Sequence, residues 1–284
     1  MLGAAATPSS TTGARVRLEV GDRLGGGAGF ASGLTSTLLA GTPWSAEKEG
    51  ALSTEAGPQP ARGDTGISAA AVLSRLRSAG VLPVVELPSP DVAVPLAETL
   101  RGAGLEVIEF TFRTDGAAEA IAAVRRACPD VLVGAGTVLT LAQLEAAIDS
   151  GARFIASPGF SPLIVERSLA AQVLPLPGVC TPTEILMALE AGLEALKFFP
   201  AEQAGGVAYL RSLAGPFRTT RFVPTGGISA ANLGDYLAVP SVLACGGTWF
   251  VLKELLAAGD FATVARLASE AVRVVKEVRG DARG

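Results

Sequence analysis

Short apolar runs alternate with stretches of helical periodicity from Ser68 to about Val278. This alternation is typical of repeated βα units, in which each strand is followed by a helix. The apolar runs that predict strands are residues 81–87, 107–112, 131–138, 154–157, 173–179, 195–200, 221–224 and 242–245. Eight parallel strands, each followed by a helix, within roughly 210 residues predict an α/β fold of the (β/α)8 TIM barrel type, preceded by a short helix at 68–78.

Two of the predicted helices have recognisable beginnings. Thr140 with Gln143, and Thr181 with Glu184, have the spacing of a capping box. An open doubly wound sheet is the alternative architecture. It is disfavoured because no G-x-G-x-x-G motif follows the first strand, and because the glycine-rich turns come late in the chain, where a barrel commonly holds phosphate.

Residues 1–67 differ from the rest of the chain. They contain 13 Gly and 14 Ser or Thr, without a sustained helical or strand period. We therefore expect a disordered, low-complexity extension at 1–67 and a single barrel domain at 68–284. The first residues lack the basic segment and continuous apolar core of a secretory signal, and we expect a cytoplasmic protein.

Charge and composition exclude several classes of function. Lys and Arg total 23 against 27 Asp and Glu, so nucleic acid is not an expected partner. No apolar stretch reaches the roughly 18 to 20 residues of a spanning helix, so no membrane partner is expected. The chain has no histidine, and its three cysteines are far apart in sequence. Imidazole metal sites and zinc-type cysteine clusters are therefore not expected, and chemistry falls to carboxylates, Lys, Tyr or Cys.

One of the four lysines stands out. Lys197 lies within the apolar run 195–200, ALKFFP. Lys48 falls in the extension, and Lys253 and Lys276 occupy polar positions of the last helices, where a solvated charge is expected. Burial favours the neutral amine, which is the form that attacks a carbonyl carbon to give a Schiff base. The alternative is a structural lysine whose ammonium reaches water past the strand end.

Polar residues also mark the second predicted strand. Glu109, Thr111 and Arg113 share one face of it, opposite their apolar neighbours. In a barrel this face points inward, where Val, Ile and Leu are preferred. An acid and a guanidinium at the carboxyl end of the strand therefore indicate a site. The alternative is a Glu109–Arg113 ion pair without chemistry, which would be weak evidence for stability.

Small residues end several later strands. Gly136-Thr137 ends the third and Ser157-Pro158 the fourth, which permits close approach by a ligand. The seventh and eighth end in TGG at 225–227 and GGT at 246–248. Such tandem glycines expose backbone N–H groups that can bind a phosphate, and a threonine hydroxyl adds a donor. Turn geometry alone is the alternative for each of these segments.

Two motifs give the chain a resemblance to a known family. GLEVIEFTFR at 104–113 resembles the segment around the acid/base glutamate of the 2-keto-3-deoxy-6-phosphogluconate (KDPG) and 4-hydroxy-2-oxoglutarate (KHG) aldolases. GLEALKFFPA at 192–201, followed by Gly205, resembles their Schiff-base segment. The resemblance covers about 67–278. It implies a TIM barrel, class I aldolase activity without metal or cofactor, and a homotrimer.

The resemblance also implies a chemistry. Lys197 forms a Schiff base with the C2 ketone of a phosphorylated 2-keto-3-deoxy sugar acid, and Glu109 transfers the protons. The products are pyruvate and D-glyceraldehyde 3-phosphate, as in the Entner–Doudoroff pathway. The implied substrate-binding residues are Arg113 and Thr137 for the carboxylate, Phe199 for the pyruvyl group, Thr225 for the C4 hydroxyl, Gly226, Gly227, Gly247 and Thr248 for the phosphate, and Pro158 without a more specific role.

Three alternatives stay open. A KHG aldolase, which forms pyruvate and glyoxylate, or an aldolase of the galactonate series would use the same lysine. A non-catalytic sugar-phosphate binding barrel would keep the pocket without turnover. A phosphosugar isomerase or synthase would explain the glycine pairs, but it would leave a lysine among phenylalanines without a task.

Overall fold

The structure is a computed structural model that describes residues 67–280. Its strands are β1 (Val81–Val85), β2 (Val107–Thr111), β3 (Leu132–Gly136), β4 (Phe154–Ala156), β5 (Leu174–Leu176), β6 (Gly178–Val179), β7 (Ala195–Phe198), β8 (Arg221–Pro224) and β9 (Cys245–Gly247). The extension predicted at 1–67 lies outside the described residues except for Ile67, and so does the tail at 281–284.

Ten α-helices accompany the strands in the described residues. They are α1 (Ala69–Ala79), α2 (Ala93–Gly102), α3 (Ala117–Ala127), α4 (Leu141–Asp149), α5 (Pro162–Ala170), α6 (Pro182–Glu190), α7 (Gly206–Ala214), α8 (Leu233–Leu237), α9 (Lys253–Ala257) and α10 (Phe261–Gly280). Ser68 caps α1, and both predicted capping boxes are present at Thr140 and Thr181. Because these side chains satisfy free N–H groups, α4 and α6 start at fixed positions shortly after β3 and β6.

The strands pair in parallel in two sheets. The larger sheet has the order β5-β4-β3-β2-β1-β9, and the smaller has the order β6-β7-β8. Isolated parallel bridges, Phe222 with Val242 and Thr225 with Gly246, connect the segment around β8 to that around β9. Pro177 stands between β5 and β6. The predicted class, a parallel α/β fold, is confirmed, whereas the closure of the strands into one barrel stays a prediction.

Apolar residues form a layer on each side of the strands. One layer contains Leu82, Val84, Val107, Leu132, Phe154, Ala156, Leu176, Ala195, Val223 and Leu243, with Val72 and Leu76 of α1. The other includes Ile108 and Phe110 together with apolar residues of the helices. Because side chains alternate along a strand, Glu109 and Thr111 share the side of Val107, opposite Ile108 and Phe110. This is the face that the sequence pattern predicts for them.

Several strand boundaries differ from the predicted ones. β1 ends at Val85, so Glu86 follows the strand. The run at 173–179 is divided at Pro177, which has no N–H for a ladder, although its carbonyl accepts from the Lys197 N–H over 3.0 Å. The last strand is Cys245–Gly247 instead of 242–245. Gly246 and Gly247 therefore lie within a strand, and the prediction that they form a turn is wrong.

Candidate active site

The centre of the candidate site is an ion pair between β7 and β2. Lys197 Nζ donates to Glu109 Oε1 over 3.2 Å. The Lys197 side chain is 8% exposed and that of Glu109 is 1% exposed. The ammonium is thus held by a carboxylate and not by bulk water, contrary to the structural alternative for this lysine. A buried pair of this kind adds little net stability, because desolvation opposes the attraction, and a chemical role is the better explanation.

Strand β3 makes room for the Glu109 carboxylate. In the parallel register of β2 and β3, Glu109 pairs with Gly134 and Thr111 pairs with Gly136. A Cβ at Gly136 would collide with the Glu109 carboxylate, and a Cβ at Gly134 would collide with the Phe154 ring. The glycines of the third strand therefore admit buried side chains of neighbouring strands. The sequence predicts close approach by a ligand at the end of this strand, and not space for side chains of its neighbours.

Lys197 borders a cavity of about 120 Å³ at the carboxyl ends of the strands. The predicted site residues that line it are Arg113, Thr137, Pro158, Lys197, Phe199, Thr225, Gly226, Gly227, Gly247 and Thr248. Glu109 does not line the cavity; it contacts Lys197, which does. The structure thus brings the predicted residues together. The lining also contains Gly246, which the sequence indicates as part of the glycine pair, and Val84 and Ile228, which it does not single out. Only the alternation along β1 could have indicated Val84.

The two glycine pairs at the cavity differ in geometry. Gly226-Gly227 forms a turn after β8, with positive φ angles of 99° and 77°. Gly246-Gly247 lies in β9, where a Cβ would collide with the Thr225 side chain or the Trp249 ring. Glycine is therefore required in the first pair for backbone conformation and in the second for space.

A neighbouring loop anchors the turn at 226–227. The Ala201 N–H donates to the Thr225 carbonyl over 2.8 Å, and the Glu202 N–H donates to the Gly226 carbonyl over 3.1 Å. The Tyr236 hydroxyl donates to the Glu202 carboxylate. Burial, followed by this hydrogen bond, raises the pKa of Tyr236 above its usual value, so the hydroxyl keeps its proton. Nothing in the sequence distinguishes Tyr236 from an ordinary packing residue of α8.

Arg113 lies at the edge of the cavity and pairs with Glu86. Arg113 NH1 is 3.8 Å from Glu86 Oε2, and Lys253 Nζ donates to Glu86 Oε1 over 2.7 Å. The hydrogen bond from Lys253 lowers the pKa of the Glu86 carboxyl. The alternative of a Glu109–Arg113 pair is therefore wrong, because Glu109 faces Lys197. Lys253, expected to be solvated, is half-exposed and has an acidic partner.

Two larger clefts lie away from this site. One, of about 570 Å³, is lined by the start of α1 and by residues around the beginnings of β5 and β7. The other, of about 820 Å³, is lined by residues near or in α1, α8 and α10. Neither contains the buried ion pair. Among residues 67–280, no group of three or more His, Cys, Asp or Glu side chains is placed to hold a metal ion, and no helix is long and apolar enough to span a membrane.

Fold and site together define a class of protein. In parallel α/β enzymes, substrates bind at the carboxyl ends of the strands. A buried lysine at that position, next to a carboxylate that can take up its proton, can form a Schiff base with a carbonyl compound. The chain therefore has the architecture of a lysine-dependent enzyme of carbonyl chemistry.

Known proteins of this class are similar to the chain. The family model of the KDPG and KHG aldolases matches residues 72–267. A 2-dehydro-3-deoxy-phosphogluconate aldolase of Treponema pallidum is 49% identical over 204 residues, which are 72% of this chain and 97% of the relative. The chain belongs to the KDPG and KHG aldolase family, and it is therefore an aldolase, a carbon–carbon lyase.

Solved structures of the family agree with this assignment. The KDPG aldolase of Legionella pneumophila, with pyruvate captured as a covalent carbinolamine intermediate, is 34% identical with a TM-score of 0.68, over 70% of this chain and 97% of that one. The aldolase of Zymomonas mobilis with 3-phosphoglycerate is 41% identical with a TM-score of 0.65, over 70% and 93% of the two chains. The resemblance inferred from the two sequence motifs is confirmed.

Proposed function

We propose that the chain is a class I aldolase that cleaves 2-keto-3-deoxy-6-phosphogluconate to pyruvate and D-glyceraldehyde 3-phosphate. The observation that carries the proposal is the position of Lys197, buried beside Glu109 and bordering the cavity. The amine adds to the C2 ketone and water leaves, which gives an iminium. Its positive nitrogen draws electrons from the C3–C4 bond, the aldehyde leaves, and an enamine of pyruvate remains.

Glu109 is the proton carrier of this sequence. Its carboxylate is within hydrogen-bond distance of the reacting nitrogen, so it can accept the proton that Lys197 loses and return protons during dehydration. It then takes the proton of the C4 hydroxyl as the bond breaks, and protonates the enamine at C3, directly or through water. Hydrolysis of the iminium releases pyruvate and restores the amine.

The remaining lining residues bind the two ends of the substrate. Arg113, with Thr137 beside it, binds the carboxylate, because a guanidinium matches a planar anion with two donors. The phosphate binds at the opposite end between the turn at 226–227 and the segment 247–248. Backbone N–H groups and the Thr248 hydroxyl serve as donors there. Phe199 and Pro158 lie against the pyruvyl group, and Thr225 contacts the C4 hydroxyl.

Borohydride trapping with pyruvate is the experiment that tests the proposed function. Reduction of the iminium is expected to give a stable pyruvyl adduct, which peptide mass mapping assigns to the peptide containing Lys197. An adduct on a surface lysine such as Lys276, or pyruvate binding without an adduct, would contradict the mechanism. The second of these results would favour the non-catalytic binding barrel.

Substrate preference separates KDPG from KHG, which lacks the phosphate and which the family description includes. We expect kcat/KM to be about 100-fold or more higher for KDPG, because each hydrogen bond to a charged group contributes about 1.5–3 kcal/mol. Thr248→Val keeps the side-chain shape without the hydroxyl. It should raise KM for KDPG and leave cleavage of KHG unchanged, as steady-state kinetics would measure. An equal loss with both substrates would remove Thr248 from the phosphate site.

We further propose that the two sheets belong to one closed (β/α)8 barrel within a domain at 68–284. The Phe222 N–H donates to the Ser241 carbonyl over 2.8 Å, and the Leu243 N–H donates to the Phe222 carbonyl over 2.9 Å, which bridges one gap between the sheets. At the other gap, β5 of the larger sheet and β6 of the smaller sheet are joined directly through Pro177. An open doubly wound sheet does not return its last strand to its first, as β9 does to β1. The start of the family match at residue 72 supports a separate extension at 1–67.

A homotrimer in the cytoplasm completes the proposal, as the family resemblance implies. Large apolar side chains are 41–63% exposed on or next to α4, α5 and α6: Leu139, Leu141, Leu163, Leu169, Leu186 and Met187. Exposed apolar side chains that occur together favour contact between subunits.

A further inference from the structure

A chain of three charges lies beside the cavity. Glu86 uses its two carboxylate oxygens for different partners, Oε1 for Lys253 at 2.7 Å and Oε2 for Arg113 at 3.8 Å. The three residues come from separate parts of the fold, since Glu86 follows β1, Arg113 follows β2 and Lys253 opens α9. Only Arg113 of the three lines the cavity. An effect of Glu86 or Lys253 on a molecule in the cavity would therefore pass through Arg113.

We propose that Glu86 is a positioning residue that holds the Arg113 guanidinium toward the substrate carboxylate, with Lys253 holding Glu86 in turn. The inference rests on the proposed function, in which Arg113 binds that carboxylate. A guanidinium has five N–H donors in a rigid fork, so one nitrogen facing Glu86 leaves the other donors for a ligand. Arg113 is 55% exposed. A long, exposed side chain samples many rotamers, and an anionic partner restricts it to those that face the cavity.

Lys253 prevents Glu86 from repelling the substrate. An unpaired carboxylate next to Arg113 would oppose an incoming anion, since like charges interact unfavourably at this range. The 2.7 Å bond from Lys253 neutralises the Glu86 charge. Glu86, Arg113 and Lys253 together then carry a net positive charge, which suits a carboxylate ligand. Because the pairs are half-exposed, they contribute little to folding, and their main effect falls on ligand binding.

A competing role for Glu86 predicts the opposite sign. If Glu86 occupied Arg113 in the free enzyme and had to be displaced, its removal would strengthen binding of the carboxylate. If it positions Arg113, its removal weakens binding. The sign of the change on Glu86→Gln therefore decides between the two roles.

The experiment measures the pyruvate concentration that gives half-maximal borohydride trapping, together with steady-state kinetics on KDPG. Pyruvate carries the carboxylate but no phosphate, so it reports on Arg113. Glu86→Gln is expected to raise the half-saturating concentration and KM by about fivefold, the scale of one half-exposed ion pair, with kcat within about twofold. The matched control is Glu270→Gln, which removes an exposed carboxylate paired with Arg266 on α10 and should change neither value.

Lys253→Met supplies the second arm. It should weaken pyruvate binding like Glu86→Gln. The double variant Glu86→Gln/Lys253→Met should be no weaker than Glu86→Gln alone, because Lys253 acts through Glu86. Unchanged or tighter binding by Glu86→Gln, a loss confined to kcat, or a lower melting temperature without a change in binding would overturn the inference. If the unmutated chain forms no pyruvate adduct, the proposed function fails as well, so the two failures are distinguishable.

Discussion

Replacing Lys197 with methionine is expected to lower the rate of KDPG cleavage by about 10⁴-fold or more, because the amine that forms the iminium is lost. Methionine keeps an unbranched apolar stem in the buried position. The exchange leaves the Glu109 carboxylate buried without its partner, which costs about 3–5 kcal/mol when the partner alone is removed. The double variant Lys197→Met/Glu109→Gln removes the unpaired charge and should be more stable than the single one in thermal unfolding.

The control for this prediction is Lys276→Met, since Lys276 is exposed on α10. This variant should retain both the rate of pyruvate release and the borohydride adduct. A folded Lys197→Met protein with a rate near that of the unmutated chain would contradict the Schiff-base mechanism. If the single variant is inactive and also unfolded, the double variant shows which of the two causes the inactivity, because it should fold and remain inactive.

The sequence predicts which residues form this site because their positions conflict with their surroundings. Lys197 is the only lysine inside an apolar run, and Glu109 stands where period-two alternation puts a barrel interior. Parallel βα units bring the carboxyl ends of all strands together, so residues that end different strands converge on one cavity. This convergence does not depend on which strands are neighbours. Residues as distant in sequence as Arg113 and Thr248 can therefore be assigned to the same cavity.

The partner of each charge could not be predicted in the same way. Glu109 and Lys197 are 88 residues apart, and Glu86 and Lys253 are 167 residues apart. Such pairs depend on which strands are neighbours and on side-chain reach. The sequence places Glu109 and Arg113 on one face, which suggests a pair. In the structure β2 ends at Thr111, so Arg113 extends past the sheet toward Glu86.

The misplaced last strand has a different physical cause. Residues 242–245 are apolar and resemble a strand, whereas paired glycines usually indicate a turn. The structure pairs β1 with Cys245, Gly246 and Gly247 instead. Space decides this case, since Thr225 and Trp249 occupy the positions that side chains at 246 and 247 would need. Thr225 follows β8, so the steric limit that it imposes at Gly246 leaves no local signal in the sequence.

Glu109→Gln is expected to reduce kcat by about 10²- to 10⁴-fold, the usual contribution of a general acid or base. Glutamine has the size of glutamate, fits the space left by Gly136, and can still accept a hydrogen bond from Lys197. It cannot take up the proton of the C4 hydroxyl or deliver one to the enamine. Pyruvate affinity, measured as the half-saturating concentration in borohydride trapping, should change much less than kcat, because Arg113 holds the carboxylate independently of Glu109.

The control is Glu106→Gln, an exposed glutamate just before β2 that pairs with Arg75 and should leave the kinetics unchanged. The opposite pattern for Glu109→Gln, with pyruvate binding lost and kcat retained, would assign Glu109 to holding Lys197 in place and not to proton transfer. Glu109→Asp distinguishes the two roles further. Aspartate keeps an ionisable carboxyl group, but its side chain is shorter and weakens the hydrogen bond that Glu109 makes to Lys197 over 3.2 Å. Partial activity in Glu109→Asp, together with near-complete loss in Glu109→Gln, means that the proton and not the hydrogen bond is what turnover requires.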